Sequence, residues 1–364
     1  MPQQVSEACM RHVELESRIG GSEAAEEAHN ALDHTYDAVA SLLHCDRGEI
    51  AMVDSATRAW NMAFYALRLQ PHDRILTAEV SYASNFIAFL NRRRSGGIDI
   101  DVVPSDLSGQ VDLEELERRI DDRTRLIALT HVPTNGGLVN PAESVGRIAR
   151  AHGIPFLLDA CQSAGQMPLD VGELGCDMLS AAGRKYLRGP RGTGFLFVRE
   201  DFIESLDPPT PDVHAAEWTT PDAYRLRSDA RRFELWESNK AAQIGLGIAV
   251  DYAMQWGLET IWQRIRHLAD DLRSRIADVP GATVRDTGRM KCGIVTFDIV
   301  GYEAGELKRQ LREMAINVSV TVPSTTLLDA RARALPDLVR ASVHYFNTED
   351  EIERFVGAVT HIVS

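Results

Sequence analysis

The 364-residue sequence has no apolar run approaching the roughly 18 residues that a membrane-spanning helix needs. Its opening, MPQQVSEACM, has no basic region followed by an apolar core, so no secretory leader is expected and a cytoplasmic location is the default. The five cysteines, Cys9, Cys45, Cys161, Cys176 and Cys292, are scattered, odd in number and free of any C-x-x-C pair. That argues against a disulfide framework and against a zinc site, leaves no metal site to predict, and suits reduced, mostly buried thiols. Positive charge is also scarce: 39 Lys and Arg face 53 Asp and Glu, for a net charge of −14. Neither nucleic acid nor an anionic membrane is expected as a partner. Arg92-Arg93-Arg94 is the one dense basic run, and a solvated helix end accounts for it. No internal repeat or low-complexity segment is visible.

What is present suits a soluble globular protein, 44% hydrophobic and 25% charged, long enough for one large domain and a smaller one. Residues 6–43 read as helix interrupted at Gly20-Gly21, and Asp54-Ser55-Ala56-Thr57 as the capped start of another. Strands RILTAEV, IDIDVVP, RLIALTHV, IPFLLDA, DMLSAA and GTGFLFV then follow, the earlier ones alternating with helices near 82–94, 113–120 and 142–152. The first strands are apolar almost throughout, as in a sheet covered on both faces. The alternation predicts a mostly parallel α/β domain. Beyond a proline-rich loop at 208–221, a long helix is expected over 241–279. CGIVTFDIV, a helix at 303–315, INVSVTV, RASVHYF and a helix at 348–361 then form a compact α+β module. The expected division is 16–245 for the large domain and 246–364, with 1–15, for the small one.

Ligands of open α/β sheets gather beyond the carboxyl ends of the strands. Three polar residues fall there: His131 after RLIALT, Asp159 ending IPFLLDA, and Lys185 past DMLSAA. A carboxylate ending so apolar a strand needs a partner, because an unpaired buried charge is costly. One chemistry uses both Asp159 and Lys185. Pyridoxal 5'-phosphate (PLP) forms an imine with a lysine, and its ring nitrogen draws electrons when a carboxylate keeps it protonated. Its phosphate suits a helix N-terminus with a hydroxyl, as Ser55-Ala56-Thr57 offers. The glycines of RGPRGTG would let the backbone pass close to the cofactor.

CDMLSAAGRKYLRGPRGTGFL, residues 176–196, resembles the signature of class V aminotransferases, the group of cysteine desulfurases, selenocysteine lyases and isopenicillin N epimerase. LLDACQSAGQMPLDV, THVPTNGGLVNP, SATRAWN, SYASN and RASVHYFNTEDEI resemble further family segments in the same order, from about residue 4 to 362. The resemblance implies PLP fold type I: a large, mostly parallel-sheet domain with helices on both faces and a smaller C-terminal α+β domain. It implies PLP as cofactor, an amino-acid-like small molecule as substrate, and a homodimer. It places Lys185 on the cofactor, Asp159 at the pyridine nitrogen, Gln162 at the ring hydroxyl, and Ser55, Ala56 and Thr57 around the phosphate. Tyr82 matches the aromatic residue stacked on the ring, and Arg184 stands where many relatives have histidine, within reach of the phosphate. Arg340 matches the arginine that grips a substrate carboxylate.

The departures bear on the reaction. Desulfurases carry a persulfide cysteine on a loop before the last arginine, and the corresponding stretch here, 318–342, has none. Thr134 stands where relatives often have asparagine, leaving Asn135 to take over that role at the cofactor. WESNK, 236–240, replaces a Gly-Thr-Pro segment that touches the partner subunit's phosphate, and MPQQV begins beyond a strand that relatives usually carry first. The leading expectation is a C–S lyase that eliminates the sulfur group of an S-substituted cysteine. The alternatives are a class V aminotransferase, an epimerase like isopenicillin N epimerase, and a decarboxylation-coupled deaminase. A silent PLP-fold binding protein would lack the lysine or the aspartate, and this chain has both.

Overall fold

A computed structural model describes all residues, 1–364. Three helices come first: α1 (Gln3–Ile19), α2 (Gly21–Glu27) and α3 (His29–Leu43). The large domain then alternates β1 (Ile50–Val53), α4 (Ala56–Ala66), β2 (Arg74–Ala78), α5 (Ala83–Gly96), β3 (Asp99–Val103) and α6 (Leu113–Arg118). It continues through β4 (Thr124–Thr130), α7 (Ala142–Ala151), β5 (Phe156–Asp159), α8 (Val171–Leu174), β6 (Met178–Ala182), β7 (Gly194–Val198) and α9 (Glu200–Ile203). Seven strands form one sheet in the order β1-β7-β6-β5-β4-β2-β3. The pairings from β3 to β6 are parallel, and β7 and β1 are added antiparallel.

The apolar strands follow from burial on both faces. Successive side chains of a strand point to opposite sides. Phe156 and Leu158 of β5 join a core of 46 residues on one face, while Leu157 joins a core of 23 on the other. Asp159 shares the parity of Leu157 and so faces the layer that contains α5. This alternation carries the strand's one carboxylate to a defined side.

A hairpin, β8 (Ala216–Thr220) and β9 (Ala223–Leu226), occupies the region expected to be loop. Its residues are mostly exposed, so it shows no apolar alternation to read. β1 also escaped the sequence reading, being four residues long. The helix expected over 241–279 is two, α10 (Lys240–Trp256) and α11 (Leu258–Ala277), broken at Gly257, whose φ of 77° a helix cannot accommodate. Likewise the first helical stretch breaks a second time, at Ala28.

The C-terminal module comprises β10 (Ala282–Val284), β11 (Ile294–Ile299), α12 (Ala304–Glu313), β12 (Ser319–Thr321), α13 (Leu327–Ala332), β13 (Leu338–Ser342) and α14 (Glu349–Val363). Its four-stranded antiparallel sheet runs β10-β11-β13-β12. RASVHYF is strand only to Ser342; beyond it His344 turns away and stacks on Tyr186, with ring centroids 5.1 Å apart. The large core runs through α10 to Ile265 in α11 and also takes in Cys292 and Ile294, while the small core begins at Leu268. We propose that the large domain extends into α11, beyond the expected 245. Residues 1–15 belong to α1, which packs on α10.

Candidate active site

A cavity of about 210 Å³ opens at the carboxyl ends of β4, β5 and β6. Ser55, Ala56, Thr57, Tyr82, Thr134, Asp159, Gln162, Arg184 and Lys185 all line it. These residues lie as far apart as 130 positions in the chain, and the parallel sheet brings them to one rim.

Asp159 is buried, and each carboxylate oxygen has a donor. The Asn85 amide donates to Oδ2 at 2.7 Å, and the backbone N–H of Cys161 donates to Oδ1 at 2.9 Å. Burial raises the Asp159 pKa, and those two bonds and the Lys185 charge oppose the rise. Lys185 is shifted the other way: burial lowers its pKa, as do the Arg340 and Arg184 charges, while Cys161 and Asp159 work against the fall. A desolvated lysine of this kind is a better proton acceptor and nucleophile than a surface one.

The α4 N-terminus forms the cradle. Ser55 is its N-cap: its Oγ accepts from the Arg58 N–H at 3.1 Å and donates to Asp54 at 2.9 Å. The Ser55 hydroxyl is therefore already engaged, and the first-turn N–H groups of Ala56 and Thr57, with the Thr57 hydroxyl, remain for an anion. Gly194 explains one of the glycines. A Cβ there would come within 2.8 Å of the Ser55 carbonyl carbon and 3.1 Å of the Ala56 nitrogen. Only a residue without a side chain lets β7 pass beneath the cradle. Behind it, buried Glu234 accepts from the Met52 N–H at 2.7 Å and the Tyr36 hydroxyl at 2.8 Å, which anchors β1 just before the turn.

Arg340 lies on β13 beside the cavity. Its Nη1 reaches Thr134 Oγ1 at 3.4 Å, while its Nε is buried without a partner. Burial lowers its pKa, and no carboxylate faces it. A half-buried guanidinium left this incomplete, with its Nε buried, is suited to a bidentate anion.

Two expectations change. Asn135 does not line the cavity: its side chain is buried against Thr321, Thr325 and Thr326 of the small domain, so the role proposed for it at the cofactor is not available. Thr134 holds the cavity position instead. His131 turns into the core, where its Nδ1 lies 3.1 Å from Ser163 Oγ and burial pushes its pKa down to about 4. Three site residues escaped the sequence reading: Asn85, the Cys161 thiol in the cavity wall, and Thr193. Asn85 had a signal, since it ends SYASN on the first turn of the helix that Tyr82 opens, where a buried carboxylate would look for a donor.

A desolvated lysine and a donor-satisfied carboxylate share a cavity with an anion-ready helix N-terminus and glycine-permitted close packing. These features fit PLP, and the fold and site together define a PLP-dependent enzyme of fold type I. The class-V aminotransferase family profile matches residues 1–355, and the chain belongs to that family. A probable cysteine desulfurase from Methanothermobacter thermautotrophicus is 30% identical over 326 residues, covering 88% of this chain and 81% of the relative. An apo cysteine desulfurase from Thermococcus onnurineus NA1 superposes with a TM-score of 0.93 at 26% identity, covering 100% of this chain and 92% of the other. The cystine C–S lyase C-DES, solved with its product cysteine persulfide, has a TM-score of 0.89 at 22% identity, with 99% and 94% coverage. That last likeness shows the fold.

Proposed function

We propose that the protein is a C–S lyase that cleaves S-substituted cysteines without a persulfide cysteine. The carrying observation concerns the thiols. The 318–342 stretch holds none, and Cys161, the one cysteine lining the cavity, is a poor thiolate: burial, reinforced by Asp159, pushes its pKa up to about 12. Cys292 is buried and pushed up to about 11. Sulfur therefore leaves with its substituent instead of passing to the enzyme. The relatives named as desulfurases and as a cystine C–S lyase support a cysteine-like substrate.

In this reading PLP, when bound, withdraws electrons from the substrate's α-carbon. Asp159, whose ionised form the Asn85 and Cys161 N–H bonds favour, would hold a proton at the ring nitrogen. Lys185 Nζ accepts the α-proton. Gln162 would hold the ring hydroxyl, Tyr82 would pack on the ring, and Ala56, Thr57 and Arg184 would hold the phosphate. Arg340 grips the α-carboxylate and thereby sets which bond at the α-carbon is cleaved. The overall change for S-methyl-L-cysteine is addition of water with release of methanethiol, pyruvate and ammonium.

We take the active form as a homodimer. Met10 and Val13 of α1 and Leu235 and Trp236 expose apolar surface. Val13 and Leu235 border a second cavity of about 600 Å³ that shares Gly192 and Thr193 with the first. Light scattering should give about twice the 40.3 kDa chain mass, and a monomer at micromolar concentration would contradict the dimer. The test of the reaction is to incubate the PLP-loaded protein with S-methyl-L-cysteine. Equimolar methanethiol and pyruvate are expected without any keto acid; amino transfer that requires a keto acid would refute the lyase.

A further inference from the structure

We propose that Asn135 is a positioning residue: a latch that fixes residues 319–326 of the small domain, the segment whose strand pairs with that of Arg340. The inference rests on the reading of Arg340 as carboxylate anchor.

The Asn135 side chain makes three of its four possible hydrogen bonds. Its Nδ2 donates to Thr325 Oγ1 and Thr326 Oγ1, both at 2.9 Å, and its Oδ1 accepts from the Thr321 hydroxyl. Thr325 in turn bonds the Val322 carbonyl at 2.8 Å. Three hydroxyls from the end of β12 and the following 3-10 turn thus converge on one amide of the large domain. Asn135, Thr321 and Thr326 are all buried, so water competes little for these bonds. No other residue type of this size supplies two donors and an acceptor from a neutral group.

What the latch holds lies at the substrate end. Thr134, one peptide bond from Asn135, lines the cavity and is the one hydrogen-bond partner of the Arg340 side chain. Ser319, at the start of the latched segment, pairs with Arg340 in the β12–β13 register. At its other end, the 3-10 turn rests against α5, whose N-cap Tyr82 lines the same cavity. The segment is therefore tied to the strand of Arg340 at one end and meets α5 at the other. Releasing it frees the strand neighbour of Arg340 and loosens the carboxylate grip, while the groups around the cofactor stay where they are.

The experiment compares PLP-loaded wild type, Asn135→Ala and Thr325→Val. Hydrogen exchange should speed up at residues 319–327, by about tenfold in Asn135→Ala, the effect of losing a buried hydrogen bond or more, and by less in Thr325→Val. β10 and β11 should exchange as in wild type. Titration with L-alanine, followed by cofactor absorbance, should show weaker binding in the same order, with PLP retention unchanged. Unchanged exchange in both variants overturns the latch, as does faster exchange across the whole small domain, or local loosening with wild-type L-alanine affinity. Thr325 is only part-buried, so its isosteric valine keeps the test valid if Asn135→Ala does not fold. A wild type whose absorbance responds to neither L-alanine nor L-cysteine would refute the amino-acid reading, and exchange alone would then decide the latch.

Discussion

Asp159 ends a strand of the large sheet with both carboxylate oxygens met by N–H donors, whereas Arg340, on the small sheet, has one long contact and a buried Nε with no partner. Burial works against the charged form of each. The fold supplies the partners in one case and withholds them in the other. A group that must hold one proton at one place gains from rigid, complete hydrogen bonding. A group that must receive a ligand keeps its donors open, and its desolvation is offset only when an anion arrives.

The comparison can be broken most severely on the large-domain side. Lys185→Ala should reduce pyruvate formation from S-methyl-L-cysteine by about 10²–10⁴-fold or more, the contribution of a positioned proton acceptor, in addition to the lost covalent attachment. Borohydride reduction of wild type should fix the cofactor to the peptide containing Lys185; a label on another lysine would refute the assignment. Asp159→Asn should retain PLP and lose most activity, since an amide does not hold the pyridinium proton. A near wild-type rate would make Asp159 structural.

On the small-domain side the loss is smaller. Arg340→Ala removes a charge-assisted carboxylate bond of about 1.5–3 kcal/mol, so kcat/KM should fall roughly ten- to a hundredfold. Arg340→Lys should remain impaired because it keeps the charge without the fork. Preference for an amino acid over its decarboxylated amine is the diagnostic: if Arg340→Ala preserves it, the anchor lies elsewhere.

Asn85→Ala sharpens the contrast by making Asp159 less complete. The lost bond favoured the ionised carboxylate, so the Asp159 pKa should rise further. Activity requires that ionised form, so the acid limb of the kcat/KM profile should move to higher pH. A limb that stays in place or moves to lower pH would detach Asn85 from the chemistry.

The smallest effect is expected at Cys161. Cys161→Ser should retain turnover, measured as pyruvate formed from S-methyl-L-cysteine. Abolished activity in a folded variant would bring sulfur relay through the enzyme back into consideration.

Much of this site was legible in the residues themselves. Asp159 and Lys185 stand at the ends of apolar strands, where charges need a reason, and strand parity with helix alternation dictates an α/β sheet whose carboxyl edge collects them. Ser55 reads as a cap because its position before a helical run allows little else. Local chemistry of this kind needs only neighbours in sequence. Asn85 and Asn135 depended on distant ones. The place of Asn85 at a helix start hints at a role, but only the fold names the partners: the Asp159 carboxylate, 74 positions from Asn85, and a turn 190 positions from Asn135. The division expected at 245 turns on distant partners too, because whether α10 closes the large core or opens the small one is settled by which apolar surface it meets. The sequence by itself determined the cofactor chemistry, since that rests on residue types at strand and helix ends. The tertiary structure decided which buried polar groups are completed and which are left open, because hydrogen-bond satisfaction in the interior depends on donors and acceptors that only folding brings together.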